Sequence, residues 1–208
     1  MYKPRLKFKK TGVSMLAVVL LVLVATYAYS TSVPHRNLAA LTNLAEWIFV
    51  GKVVSITDNY VEGQFPYIEI TFEISKSIKG GLGEGTNFSY RQIGLLTPRD
   101  AGNGMRIVFA IDGFPQYQID KEVMVFLYKP SAQTDLSSPV GLLQGKFTIE
   151  GDKISNDINN NNLFANMNVD PAKLSQKELD MLSQTRDPVD TDTFINLVSR
   201  AVKEGLFE

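Results

Sequence analysis

Tyr67-Ile-Glu-Ile-Thr-Phe-Glu-Ile74 decides the fold class. Ile68, Ile70, Phe72 and Ile74 alternate with Tyr67, Glu69, Thr71 and Glu73. Side chains of a strand point to opposite faces in turn, so period two predicts one buried and one watered face. The stretch ends at Ser77-Ile-Lys-Gly80-Gly81, and Gly83 and Gly85 continue the turn. Upstream, Trp47-Ile-Phe-Val-Gly-Lys-Val-Val-Ser-Ile56 is rich in β-branched and aromatic residues. It is apolar at both parities, which predicts a strand covered on both sides.

Downstream the pattern repeats. Asn87 to Ile93 reads as a third strand, and Gly94 to Asn103 as loop. Met105, Ile107, Phe109 and Ile111 alternate with Arg106, Val108 and Ala110, a fourth strand that Gly113-Phe-Pro115 breaks. Val123 to Tyr128 is an uninterrupted apolar run, expected to be the most buried strand. Leu143, Gly145, Phe147 and Ile149 alternate with Leu142, Gln144, Lys146 and Thr148. Glu150-Gly-Asp-Lys153 then reads as a hairpin turn. Short antiparallel strands at such regular spacing predict a mainly β domain over residues 46–155, closed as a barrel or stacked as a sandwich.

The flanks differ. Residues 31–45 read as a linker leading to a helical turn with Leu38, Leu41, Leu44 and Ala45 at helical spacing. Residues 156–208 read as an Asn-rich loop and short C-terminal helices. Asn159 to Asn162 cannot build a core, so a loose loop pinned by Leu163, Phe164 and Met167 is expected. Ser175 and Glu178 have capping-box spacing. A last helix starts near Asp190 to Asp192, with a Phe194, Leu197, Val198, Ala201 stripe and a stop at Gly205.

Lys3, Arg5, Lys7, Lys9 and Lys10 precede an apolar run from Val13 to Ala28. Basic then apolar is the layout of an export signal. The run is short of the roughly 20 residues that span a bilayer comfortably, and Thr26-Tyr-Ala28 and Ala28-Tyr-Ser30 suit cleavage. Residues 1–30 therefore read as a signal peptide or a single-pass anchor helix, and the remainder as extracytoplasmic. Five of the 21 basic residues and none of the 22 acids lie in residues 1–30, so the remainder is acidic by six charges. That argues against nucleic-acid binding, which needs a cationic surface, and leaves membrane contact to the N-terminal segment alone.

Catalytic chemistry finds little purchase. The 208 residues include no Cys and one His, which excludes disulfides, thiolate zinc, cysteine nucleophiles and multi-histidine metal sites within one chain. His35 lies in the linker and reads as solvated. Glu69 and Glu73 are separated by about 13 Å along a strand, wider than the roughly 5–9.5 Å of glycosidase carboxylates. Asp100, Asp112, Asp120 and Glu122 form no calcium-loop run. Gly80 to Gly85 lacks the Gly-Lys-Ser/Thr ending of a phosphate loop. Asn87-Phe-Ser89 matches a glycosylation sequon but lies in a strand. No catalytic residue, metal ligand or cofactor is assigned. Gln144 and Lys146 are expected to point together to the outer face, beside Gly145, which marks a bulge or a close backbone approach. They are candidate partner-contact residues, as are Phe114 and Tyr117 in the Gly113 to Tyr117 stretch.

Several of these stretches resemble a widespread group of uncharacterised exported bacterial proteins. Leu44 to Ile56 and Glu69 to Gly80 are similar to the group's "A-D-hydrophobic-hydrophobic-G-x-V" stretch and its strand ending in "hydrophobic-K-G". Gly113-Phe-Pro-Gln-Tyr117, Glu122-Val-Met-Val-Phe-Leu127 and Gln144-Gly-Lys-Phe147 resemble "G-x-P-x-F", "G-E-x-x-hydrophobic-x-F-L" and "Q-G-K-F". Asp120-Lys121 departs from the usual Gly before Glu122. The order of strands also resembles netrin modules and tissue inhibitors of metalloproteinases, which implies a small OB-like barrel. Those inhibitors chelate the protease metal through an N-terminal Cys that is missing here. The functional expectation is a non-enzymatic binding protein of the cell envelope with a protein or glycan partner. The alternatives are an inhibitor of an exported hydrolase, or a hydrolase with an unrecognised carboxylate site.

Overall fold

The computed structural model describes residues 33–60, 64–109 and 111–207. The signal or anchor segment expected at residues 1–30 lies outside them. Among the described residues no helix is long and apolar enough to cross a membrane. Residues Pro34–Glu208 form one compact unit.

The chain opens with α1 (Leu38–Leu44) and continues through β1 (Trp47–Asn59), β2 (Tyr67–Lys79) and β3 (Asn87–Ile93). A ribbon, β4 (Arg99–Gly102) and β5 (Met105–Ile107), precedes β6 (Glu122–Leu127), β7 (Lys146–Glu150) and β8 (Lys153–Asn156). The C-terminal part holds α2 (Gln176–Leu182), β9 (Val189–Asp190) and α3 (Thr191–Glu204). Seven strands make one antiparallel sheet in the order β3-β2-β1-β6-β7-β8-β9, and β4 pairs only with β5.

Alternation along the central strands feeds two cores. Ile48 and Val50 of β1, Met124 and Phe126 of β6, Phe147 and Ile154 face the helices. There they meet Leu38 and Leu41 of α1 and the Phe194, Leu197, Val198, Ala201 stripe of α3. The Phe147 and Phe194 rings lie 5.0 Å apart. Phe49, Val53, Ile70, Phe72, Val123, Val125 and Leu127 form the opposite core, closed partly by Tyr117. β6 is buried throughout its apolar run, as its composition requires.

The sheet does not close into the expected OB-like or netrin-like barrel, and helices stand where the second sheet of a sandwich would. The expected fourth strand takes no part in it. Instead of joining the sheet, residues 99–107 fold on themselves around an Asn103-Gly104 tip with φ of 52° and 74°. Met105 and Val108 are 61% and 68% exposed, so alternation there does not reflect burial. Asp58 at the end of β1 ties the ribbon down through Arg99 at 2.7 Å. β3 and the two-residue β9 remain as edges.

Two further expectations are corrected. The strand predicted from Leu142 begins at Lys146; Leu142–Gln144 is a 3-10 turn entered through left-handed Gly141. A Cβ on Gly145 would collide with the Val140 carbonyl, so the glycine does mark a close backbone approach. The Asn-rich segment is not a loose loop. Asn160 is 1% exposed and donates to the carbonyls of Ile154 (3.2 Å) and Asp187 (3.0 Å). Amides here replace apolar groups by satisfying buried backbone.

The helix ends follow the capping signals. Ser175 and Glu178 form a reciprocal capping box, and both Arg200–Glu178 contacts are 2.9 Å. Burial pushes the Glu178 carboxyl up, but the Ser175 N–H and hydroxyl and the Arg200 guanidinium outweigh it and hold the carboxyl low. A carboxyl lowered on folding stabilises the fold above its unfolded pKa and loses that contribution as pH falls through the folded value. Thermal stability should therefore decline as pH drops below about 4.5. Glu178→Gln should cost about 1–3 kcal/mol at neutral pH and flatten the decline. Asp190, held low by the Thr193 hydroxyl and N–H, should leave a residual slope. Melting curves of both proteins across pH 3–7 check this.

Candidate functional site

On the face away from the helices, the sheet changes character between β6 and β7. From β2 to β6 this face is apolar, whereas in β7 the same parity carries Lys146, Thr148 and Glu150. The register places Lys146 opposite Val125 and Thr148 opposite both Val123 and Ser155. The segment from Gln116 to Lys121 crosses beside this polar half. It is anchored where Asp120 N–H donates to the Val53 carbonyl and Val53 N–H to the Lys121 carbonyl, both at 2.9 Å. Between segment and hairpin lies a cleft of about 500 Å³, lined by Gln116, Gln118, Lys121, Val123, Leu143, Lys146, Thr148, Glu150, Ser155, Asn156 and Asp157.

Lys146 is the central group. It is 7% exposed, and its ammonium donates to Asp157 Oδ1 and to the Thr148 hydroxyl, each at 2.9 Å. The ammonium also lies 5.9 Å from the centre of the Tyr117 ring. A charge this enclosed needs such partners, because leaving it unpaired costs several kcal/mol. Tyr117 shares a 2.9 Å hydroxyl contact with Tyr90. Burial raises both phenols above their ordinary range, so they stay neutral and hold the cleft wall in place. Lys121 and Glu150 pair more loosely at the rim, 3.8 Å apart.

Of the four sequence-predicted contact residues, the fold brings Lys146 and Tyr117 together. Gln144 is not on an open outer face; it is 6% exposed. Its side chain accepts from Arg36 N–H at 2.7 Å and donates to the Pro34 carbonyl at 3.2 Å, clamping the chain that leads into α1. Lys146 has the expected parity, but Asp157 and Thr148 take up its ammonium, so it is buried and not free on an outer face. Phe114 is half-buried in a different groove, with Tyr128 and Leu136. His35 is exposed, with its ring Nε2 3.0 Å from the Asn161 carbonyl, so the linker is docked at that point. Sequence reasoning missed Gln116, Gln118, Thr148, Ser155 and Asp157. Gln116-Tyr-Gln118 carried a usable signal, since extended backbone places the two amides opposite the ring.

A second cleft of about 480 Å³ is lined by Glu122, Asp152, Asp190 and Asp192, with Thr191 and apolar neighbours. Asp190 is committed there as the α3 cap, accepting from Thr193 N–H at 2.8 Å. Glu69 pairs with Arg91 at 3.1 Å. Among the described residues no three His, Asp or Glu side chains converge in a way that could hold a metal ion.

No family model matches the chain, and no curated protein or solved structure matches it either. The resemblances to exported bacterial proteins and to netrin modules therefore rest on the residues quoted for them.

The Lys146–Asp157 pair is intermediate between surface pairs, worth about 0–1 kcal/mol, and fully buried ones, whose disruption costs about 3–5 kcal/mol. A double-mutant cycle with Lys146→Met and Asp157→Asn should give a coupling of about 1–3 kcal/mol. Denaturant titration of the four proteins measures it. Additive effects would show that the pair does not act as a unit.

Proposed function

We propose that this chain is an exported, non-enzymatic binding module of the cell envelope whose ligand seats in the Lys146 cleft. The observation that carries the reading is the buried Lys146 ammonium, paired with the more exposed Asp157 and with Thr148 in an open polar cleft beside a face that is otherwise apolar. Ion pairing inside a fold adds little net stability over apolar packing of the same volume, so a polar floor at this position calls for a role beyond folding. The basic-then-apolar N-terminus supports export, with residues 13–28 either removed or kept as an anchor. The resemblance to exported bacterial proteins supports the same compartment. The partner is a protein or a glycan of that envelope. The inhibitor reading rested on a netrin-like order of strands alone, and no feature of the Lys146 cleft adds to it.

Anything that binds the folded state alone raises its melting temperature by mass action. A host envelope extract should therefore raise the melting temperature of the full chain. Gln118→Arg, which fills the exposed mouth of the cleft, should abolish the rise without changing the melting temperature in buffer. An extract that leaves wild type unmoved, or moves the variant equally, would overturn the reading.

The acid-lined cleft favours a second reading, a hydrolase working with carboxylates there. The Thr193 contacts keep Asp190 ionised, which suits a base or nucleophile and not a general acid. Release of soluble fragments from envelope polysaccharide by wild type, and not by Asp190→Asn, which keeps a side chain able to cap α3, would establish it. Equal release by both, or none, would remove it.

A further inference from the structure

We infer that the Lys146 cleft takes a neutral saccharide. The inference rests on the binding-module reading and specifies its ligand.

Charge comes first. The cleft holds two cations and two carboxylates, and each cation has an acid partner, Lys146 with Asp157 and Lys121 with Glu150. An anionic ligand such as a phosphate would find no free cation. It would also face Asp157, which Lys146 holds in place. A cationic ligand would have to compete with Lys146 for the same carboxylate. Balanced, mutually satisfied charge favours an uncharged ligand.

Hydrogen-bonding capacity comes next. Gln116 and Gln118 are exposed, and each amide both donates and accepts. Thr148 and Ser155 add hydroxyls that do the same, and Asp157 and Glu150 add acceptors. Ring hydroxyls of a sugar donate and accept from neighbouring positions, so they match a wall of mixed donors and acceptors. Leu143, half-buried, gives the C–H face of a ring an apolar surface. A peptide would instead seek a deep apolar pocket for an anchoring side chain or the open backbone of a sheet edge, and this cleft lies over the interior strands β6 to β8.

Rigidity completes the case. Lys146, Thr148 and Asp157 are locked by one another, and the crossing segment is held by backbone bonds on both sides of Val53. A preformed wall spares the ordering cost that otherwise weakens binding. The volume of about 500 Å³ lies within the roughly 300–1,000 Å³ of small-ligand sites.

The test uses the full chain and the envelope extract, read by melting temperature. The extract is split four ways: untreated, oxidised with mild periodate and quenched, digested with a broad protease that is then inactivated, and passed over an anion exchanger. Periodate cleaves vicinal diols, so it should abolish the rise. Protease treatment should leave the rise intact, and the activity should stay in the exchanger flow-through. With the flow-through as titrant, Gln116→Ala with Gln118→Ala should raise the half-saturating amount about tenfold, as expected from losing two hydrogen bonds. Tyr67→Ala, in the separate groove beside Arg91, should leave it unchanged. A rise that survives periodate, vanishes with protease or follows the exchanger-bound fraction overturns the saccharide and leaves the binding reading standing. No rise with untreated extract removes both.

Discussion

Burial of β1 and β6 on both faces is the constraint on which the rest depends. The two strands pair from Trp47–Leu127 to Lys52–Glu122, and their side chains alternate between two separate cores. A two-sided strand cannot lie at a solvent edge, so other strands and both covering layers must assemble around it. Helices α1 and α3 supply one layer through their apolar stripes. The other layer is thinner, made by the crossing segment at Tyr117 and by Leu82. Where this thin cover ends, at the β6–β7 boundary, the sheet face turns polar and the cleft begins.

Polar side chains carry structural work that apolar ones usually perform. Gln144 joins the entry to α1, the Gly141 turn and, through its carbonyl, Asn156. Asn156 and Asn160 exchange side-chain-to-backbone bonds with each other at 3.0 and 2.8 Å. These contacts order a segment with few large hydrophobic residues of its own. They also hold Asp157, and with it Lys146, in one place. The geometry of the Lys146 cleft thus rests on backbone that amides have saturated, not on a hydrophobic clamp.

Bulges explain how one sheet supports such different neighbours. Between β1 and β2 the register shifts at three places, near Ile48, Val50 and Val53. At Gly51 a Cβ would lie 2.8 Å from the Glu73 carbonyl oxygen, so a glycine is required where the strands close up. Bulges increase local twist and bend. The sheet nevertheless stays open, with β3 and β9 at its edges.

The sequence by itself determined the class of the fold and most of its elements, because those depend on local periodicity. Alternation in β2, double-sided apolarity in β1 and β6, the Ser175–Glu178 box and the α3 stripe are each patterns that can be read within a single element, although all but the box are satisfied by distant partners. Only the tertiary structure decided closure, the fate of residues 99–107 and the standing of the amides. Period two does not say whether an alternating stretch joins a sheet or folds back on itself. Nor does composition show that an Asn run saturates a buried backbone. The site was half legible for the same reason. Parity placed Lys146 with Thr148, and the Gln116–Gln118 alternation was visible. Whether that face was open, and which distant acid met Lys146, depended on where the chain between β5 and β6 crossed and on how the segment after β8 turned. Long-range chain path sets both, and no local pattern encodes it.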